Sequence, residues 1–248
     1  MITDAPVALI TGAAQRLGAA TAQALHARGY RVLIHYRHSA DKALKLARNL
    51  NGIRPESAHP LQADLEASDQ VLALAKAATG HWQRLDLLVN NASLFYPAPT
   101  DTATLDDWDS IMHTNVRAPF FLVQQCLPAL KATQGNVVNL IDIYAERPLP
   151  QHPLYCASKA ALAMLTRALA RDLAPDVRVN GVSPGAILWP DNGETIDADY
   201  QQRILSQTPL GRTGQPSDIA DTITWLACEA PFVTGQIIAV DGGRTLNQ

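Results

Sequence analysis

The chain has 248 residues, 47% hydrophobic and 17% charged, with a formal net charge of −3. That length buries one large core or two small ones, and so slight a charge gives no electrostatic reason to expect nucleic acid or an anionic membrane. Cys126, Cys156 and Cys228 form no CxxC pair, the N-terminus lacks a signal-peptide pattern and no apolar run approaches a membrane span, so the expectation is a reduced, cytoplasmic chain outside the membrane.

Val7-Ala-Leu-Ile10 reads as a first apolar strand. Thr11-Gly-Ala-Ala-Gln-Arg-Leu-Gly18 turns out of it into a helix reaching about Arg28 and ended by Gly29. Arg31 to Tyr36 is the second strand, and Ser39 is expected to cap a polar helix over about 40–51. Ala58 to Ala63 is a third strand, followed by Asp64 and a helix over about 68–81. Leu85 to Val89 is a fourth strand, ending at Asn90-Asn-Ala-Ser93, and helices follow near 105–112 and 114–131. Asn136 to Ile141 is a fifth strand, ended by Asp142. Pro148, Pro150 and Pro153 forbid regular structure until Leu154, where a helix to about Leu173 begins. Val177 to Val182 is the sixth strand, ending at Ser183-Pro-Gly185. Residues 186–213 read as irregular and polar, with one short helix near 199–206. A helix at about 216–228 and a strand at Ile237 to Val240 close the chain. Alternating strand and helix predicts a single doubly wound α/β domain over 1–248, its seven-stranded parallel sheet flanked by helices.

In such a sheet, ligands bind outside the carboxyl ends of the strands. The suspicious motifs all fall there: Gly12 to Gly18, His35 to Ser39, Asp64, Asn90 to Ser93, Asp142, and Ser183 to Gly185. Gly12 permits a tight turn, Gly18 lets the helix pack closely, and the helix N-terminus offers N–H groups to a pyrophosphate. The second strand ends His35-Tyr36-Arg37-His38-Ser39, with no acid before Asp41. A carboxylate at that point would hold the ribose hydroxyls of NAD. Arg37, His38 and Ser39 instead offer donors to a 2′-phosphate, so the expected cofactor is NADPH. The bland alternative is that Arg37 solvates a strand end and Ser39 only caps.

Tyr155 and Lys159 are four apart and share one face of their helix. An ammonium beside a phenol favours phenolate, so Lys159 is expected to lower the Tyr155 pKa and fit it for proton transfer. Cys156 points about 100° away round the helix and reads as packing. The seven histidines have no metal-like spacing, and no metal is expected.

Taken together, Thr11-Gly12…Gly18, Asp64, Asn90-Asn91-Ala92, Asn115, Tyr155…Lys159, Pro184-Gly185 and Asp241-Gly242-Gly243 resemble the short-chain dehydrogenase/reductases, Rossmann-fold oxidoreductases, over nearly the full chain. The resemblance implies Tyr155 as proton donor. It implies Lys159 on the nicotinamide ribose and Asn115 holding a water chain to Lys159. It also places Leu17, His35, Tyr36, Leu65, Asn91, Ala92, Ser93, Pro184 and Gly185 around the cofactor. The chain has Arg16 where most of that family has glycine, and Asp142 where most has serine. With His35-Tyr36, Phe95-Tyr96-Pro97 and Gly243-Arg244, these departures resemble the pteridine reductase branch, including the dihydromonapterin reductases.

Chemistry makes the exchange at 142 intelligible. A serine donates to a carbonyl oxygen, whereas an ionised Asp142 cannot donate and repels a developing oxyanion. A dihydropterin presents a ring C=N bond, which takes hydride on carbon and a proton on nitrogen. Asp142 and Tyr155 can relay that proton, Arg16 can span cofactor phosphate and pterin edge, and Phe95 can stack on the pterin. Ser93 would complete the substrate contacts. Each has a plainer alternative: Arg16 on phosphate alone, Phe95 in the core, Asp142 capping a turn. The competing readings are a 3-oxoacyl-carrier-protein reductase, against which Asp142 weighs, and a nicotinamide-sensing regulator without turnover, against which the Asn115–Tyr155–Lys159 set weighs. Apolar surface on the helices near 114–131 and 154–173, with the family resemblance, implies a homotetramer.

Overall fold

The structure is a computed structural model that describes residues 5–187 and 198–247. Among these residues seven strands form one parallel sheet in the order β3-β2-β1-β4-β5-β6-β7. The strands are β1 (Val7–Ile10), β2 (Arg31–Tyr36), β3 (Ala58–Gln62), β4 (Leu87–Asn90), β5 (Asn136–Leu140), β6 (Arg178–Pro184) and β7 (Ile237–Val240). The helices are α1 (Arg16–Ala27), α2 (Ala40–Ile53), α3 (Ser68–His81), α4 (Leu105–Met112), α5 (Ala118–Ala132), α6 (Pro153–Leu173), α7 (Ala198–Ser206) and α8 (Pro216–Cys228). The doubly wound architecture expected from the alternation of elements is the one observed. The expected irregular stretch at 186–213 does contain α7, while 188–197 lie outside the described residues.

Continuous apolar runs suit this sheet because both faces are covered. In β1, Ala8 and Ile10 enter one core with Leu25 of α1, Leu46 of α2 and Ile223 of α8. Val7 and Leu9 enter the other with Leu74 of α3, Leu122 of α5 and Ala170 of α6. Side chains alternate across a strand, so each short run feeds two cores at once.

Helix ends follow local chemistry. Gly29, at φ +92, ends α1 in the left-handed region that glycine reaches without a Cβ penalty. Thr104 caps α4 in a reciprocal capping box with Asp107. Pro153 sits at the start of α6, where a missing N–H costs nothing. Two expectations change. Ser39 stands at the N-cap of α2, but its side chain makes no capping bond. The helix expected over 114–131 begins as a π-helical turn, His113–Arg117, between α4 and α5.

A buried polar chain ties β4 and β5 to α6. Asn90 Nδ2 donates to Asn139 Oδ1 at 2.8 Å, and Asn139 Nδ2 donates to Thr166 Oγ1 at 2.9 Å, linking β4, β5 and α6. Asn139→Ala leaves the buried Asn90 amide without its partner, while Thr166 Oγ1 keeps its bond to Leu162 O. The substitution is expected to cost about 1–3 kcal/mol, the scale of one buried polar group left unpaired, read as a lower urea midpoint at unchanged slope.

Candidate active site

The sheet order reverses direction between β1 and β4, and the first functional cluster stands there. Thr11 Oγ1 accepts from Asn91 N at 2.9 Å and Ala92 N at 3.0 Å. Asn91 Nδ2 donates back to Thr11 O at 2.7 Å and Gly12 O at 3.1 Å. The ends of β1 and β4 are thereby clamped. Gly12 has φ +63, and a Cβ on Gly18 would lie 2.4 Å from Gly12 O, so both glycines are dictated by the turn. Arg16, at φ +52, takes the left-handed region without being glycine.

His35 does not face a ligand with its ring nitrogens. It is buried beneath the turn, accepting from Gly12 N at Nδ1 (3.0 Å), with Nε2 3.1 Å from Ala63 O. Those partners require the neutral tautomer with the proton on Nε2. Burial pulls its pKa down to about 4.

Arg37 is not the free donor the sequence suggests. Its NH1 is 2.6 Å from Glu66 Oε1 and its Nε lies 3.1 Å from Asp64 Oδ2, out of line for a hydrogen bond. Glu66 also accepts from Ser110 Oγ at 2.9 Å. Tyr36, His38 and Ser39 line neither cavity of the site. Glu66 went unnoticed in the sequence because nothing local marks it; its role arises from contacts across the fold.

The second cluster lies beyond β5. Tyr155 Oη donates to Asp142 Oδ2 at 2.8 Å, and Asp142 Oδ1 accepts from Tyr144 N at 3.0 Å. Asp142 therefore both caps a turn and meets the phenol; the two readings hold together. Lys159 is buried, donates from Nζ to Leu140 O at 2.9 Å, and sits 5.7 Å from the Tyr155 ring centroid. Burial lowers its pKa to about 8, against the pull of Asp142. The phenol departs from expectation: burial first, then the Asp142 carboxylate, holds Tyr155 well above its ordinary value, so Lys159 does not lower it here. Burial raises Asp142, against its hydrogen bonds from Tyr144 and Tyr155 and the nearby cations Lys159 and Arg244.

Asn115 sits in the π-turn and is buried behind the loop that follows β4. Its Oδ1 accepts from Leu94 N at 2.8 Å and Ser93 Oγ at 3.2 Å; its Nδ2 donates to Leu94 O and Ser158 Oγ, each at 3.0 Å. Ser158 Oγ in turn donates to the Tyr155 carbonyl at 2.7 Å. The side chain thus braces the Ser93 loop against α6.

Two cavities run along the strand ends. One, about 350 Å³, is bounded by Gly12, Gly18, Arg37, Asp64, Leu65 and Ala92. The other, about 750 Å³, is bounded by Phe95, Asp142, Tyr155, Lys159, Gly185 and Arg244. Arg16, Leu17, Asn91 and Ser93 line both, joining them. Pro184 also lines the larger, and a Cβ on Gly185 would lie 2.7 Å from Asp241 Cα. Phe95 is half-exposed, not core; it stacks on His152 at 4.8 Å and meets the Tyr155 ring edge-on at 4.7 Å. His152 was not singled out from the sequence, and Arg244 was marked only within the closing Gly243-Arg244 pair, with no site role given to it. The pairing of His152 with Phe95 crosses chain segments and leaves no local pattern.

The chain belongs to the short-chain dehydrogenase/reductase family. A family model described as enoyl-(acyl carrier protein) reductase matches residues 12–245. The chain is 37% identical to pteridine reductase 1 of Leishmania tarentolae over 286 aligned positions, covering 98% of each. It is 33% identical to the 3-oxoacyl-[acyl-carrier-protein] reductase FabG of Staphylococcus aureus over 239, covering 95% of this chain and 96% of that one. Its fold also matches, at a TM-score of 0.89 and 34% identity over 96% of this chain and 97% of the other, the crystal structure of a blue fluorescent protein from a metagenomic library in complex with NADPH.

Because the His35 pKa falls on folding, its contribution is fully present above the ordinary 6.5 and is lost as pH drops toward about 4, when the unfolded chain binds a proton the native site excludes. The loss over that window is about 3 kcal/mol. Denaturant titrations from pH 7 to 4 should show it, and a His35→Gln variant, which keeps a donor and an acceptor, should show a shallower decline.

Proposed function

We propose that the protein is an NADPH-dependent pteridine reductase that converts a dihydropterin, such as dihydromonapterin or dihydrobiopterin, and also dihydrofolate, to the tetrahydro form. The observation that carries this reading is the 2.8 Å hydrogen bond from Tyr155 to Asp142. A carboxylate in contact with the phenol suits protonation of a ring nitrogen, while an ionised one opposes the oxyanion of ketone reduction. The 37% identity to a pteridine reductase supports the same reading, and the solved relative holding NADPH supports the cofactor.

The residues fit a dinucleotide. The Gly12 turn and the start of α1 offer backbone N–H groups to phosphates, and Lys159 and Tyr155 reach the larger cavity for the nicotinamide end. When bound there, the nicotinamide would supply hydride. Arg37, aimed by Glu66, faces the first cavity as the 2′-phosphate donor. Asp142, whose pKa is raised, carries a proton more readily than an ordinary carboxylate. Tyr155 would give its proton to the substrate nitrogen, and Asp142, which accepts the phenol's hydrogen bond, would take up a proton from solvent and pass it to the phenolic oxygen. Asn115 holds the Ser93 loop in register with α6 throughout. The reading includes a cytoplasmic homotetramer, supported by exposed Phe121 on α5 and Met164 on α6.

Tyr155→Phe should lower turnover by roughly 10²–10⁴-fold with NADPH binding retained, and Asp142→Asn by about tenfold or more, the scale of lost acid–base help. The deciding measurement is wild-type NADPH oxidation on dihydromonapterin beside an acetoacetyl thioester. Robust thioester reduction with no dihydropterin activity overturns the pteridine reading in favour of a 3-oxoacyl-carrier-protein reductase.

A further inference from the structure

We propose that Arg244 is a specificity-determining residue that binds an oxygen acceptor of the substrate on the side of Asp142 opposite Arg16. The placement follows from sheet order. Arg16 follows β1, Asp142 follows β5 and the turn bearing Arg244 follows β7, so along the carboxyl edge the carboxylate is flanked by one guanidinium on each side. All three line the same cavity of about 750 Å³.

The turn that carries Arg244 is pinned on every side. Asp241 accepts from Gly243 N at 2.9 Å, Thr245 N at 2.7 Å and Thr245 Oγ1 at 2.7 Å. Arg147, from the segment after Asp142, donates to Asn247 O at 2.5 Å and to Thr245 O. Asn247 Nδ2 donates to Gln207 O at 2.8 Å, and Gly243, at φ +84, would bring a Cβ within 3.0 Å of Pro209. Within this frame the guanidinium of Arg244 has neither an ion pair nor a side-chain hydrogen bond among the described residues, although it is partly buried and electrostatically coupled to Asp142. A partly buried guanidinium with five donors, carried by a pinned turn at this cavity, calls for an acceptor, and with the nicotinamide end placed at Tyr155 and Lys159 the substrate is the ligand left to supply it.

The proposal rests on the pteridine reading for the identity of that substrate. The acceptor is then either an oxygen of the pterin ring or a carboxylate of the arm that a folate carries, and the two sources differ in their response. The test compares wild type, Arg244→Gln and Arg244→Lys on dihydrobiopterin and on dihydrofolate, with NADPH binding measured separately to show that the variants are folded. The Gln variant should raise KM about tenfold or more, as for a lost hydrogen bond to a charged group. The Lys variant should recover part of it, and NADPH affinity should hold. A rise on both substrates assigns the ring oxygen; a rise on dihydrofolate alone assigns the arm.

A second readout separates binding from mere support of the turn. Among the described residues, the charged and titratable groups lining the cavity with Asp142 are Tyr144, Tyr155, Lys159, Arg16, Lys42 and Arg244, and of these Tyr155, Lys159 and Arg244 act on it directly. Removing the Arg244 charge should move the pH limb that belongs to Asp142, identified by its absence in Asp142→Asn, to higher pH. Unchanged KM on both substrates with an unmoved limb overturns the proposal while leaving the pteridine reading standing. If the wild type reduces neither pterin but does reduce an acetoacetyl thioester, the pteridine reading fails. The same variants assayed on that thioester then decide Arg244 alone, by a raised or unchanged KM.

Discussion

The site depends on the clamp between Thr11 and Asn91. Connections on the two sides of β1 and β4 diverge in opposite directions, which opens a crevice but leaves two strand ends with nothing to hold them in register beyond the sheet itself. A hydroxyl that accepts two backbone N–H groups and an amide that returns to two carbonyls close that gap. Gly12, Gly18 and Arg16 can then be placed to within the tolerance that a phosphate demands. His35 supports the same turn from below, so the cofactor side is braced from two directions by groups that need never touch a ligand.

On the catalytic side the organising quantity is desolvation. Asp142 and Tyr155 are raised and Lys159 is lowered, each because its charged form is poorly solvated. All three shifts favour the neutral state; those of Asp142 and Lys159 bring these two groups' protonation equilibria closer, while that of Tyr155 keeps the phenol protonated between them. A carboxylate easier to protonate beside an ammonium easier to deprotonate is a suitable setting for moving a proton without creating a lone buried charge.

The fold was legible in the sequence because its strands are short apolar runs and its helices repeat with helical spacing. Tyr155, Lys159 and Asp142 were legible through their spacing and their position at element ends. What was not legible came from through-space arrangement. Nothing near Arg37 announces that Asp64 and Glu66 face it, and nothing beside Asn115 signals a π-turn that directs its amide to Leu94 and Ser158. The pKa of Tyr155 was misjudged for the same reason. Four-residue spacing puts Lys159 near the ring, but the phenolic oxygen meets Asp142, from a different strand end.

The backbone of Arg16 has a consequence for how this chain can change. A side chain in the left-handed region costs of order 1–3 kcal/mol that glycine would not incur. Replacement by glycine would relieve that strain while losing the side chain's own contacts and the guanidinium shared by the two cavities. Robustness alone would favour glycine at this position, so the arginine gives up some stability to hold a charged side chain where the two cavities meet.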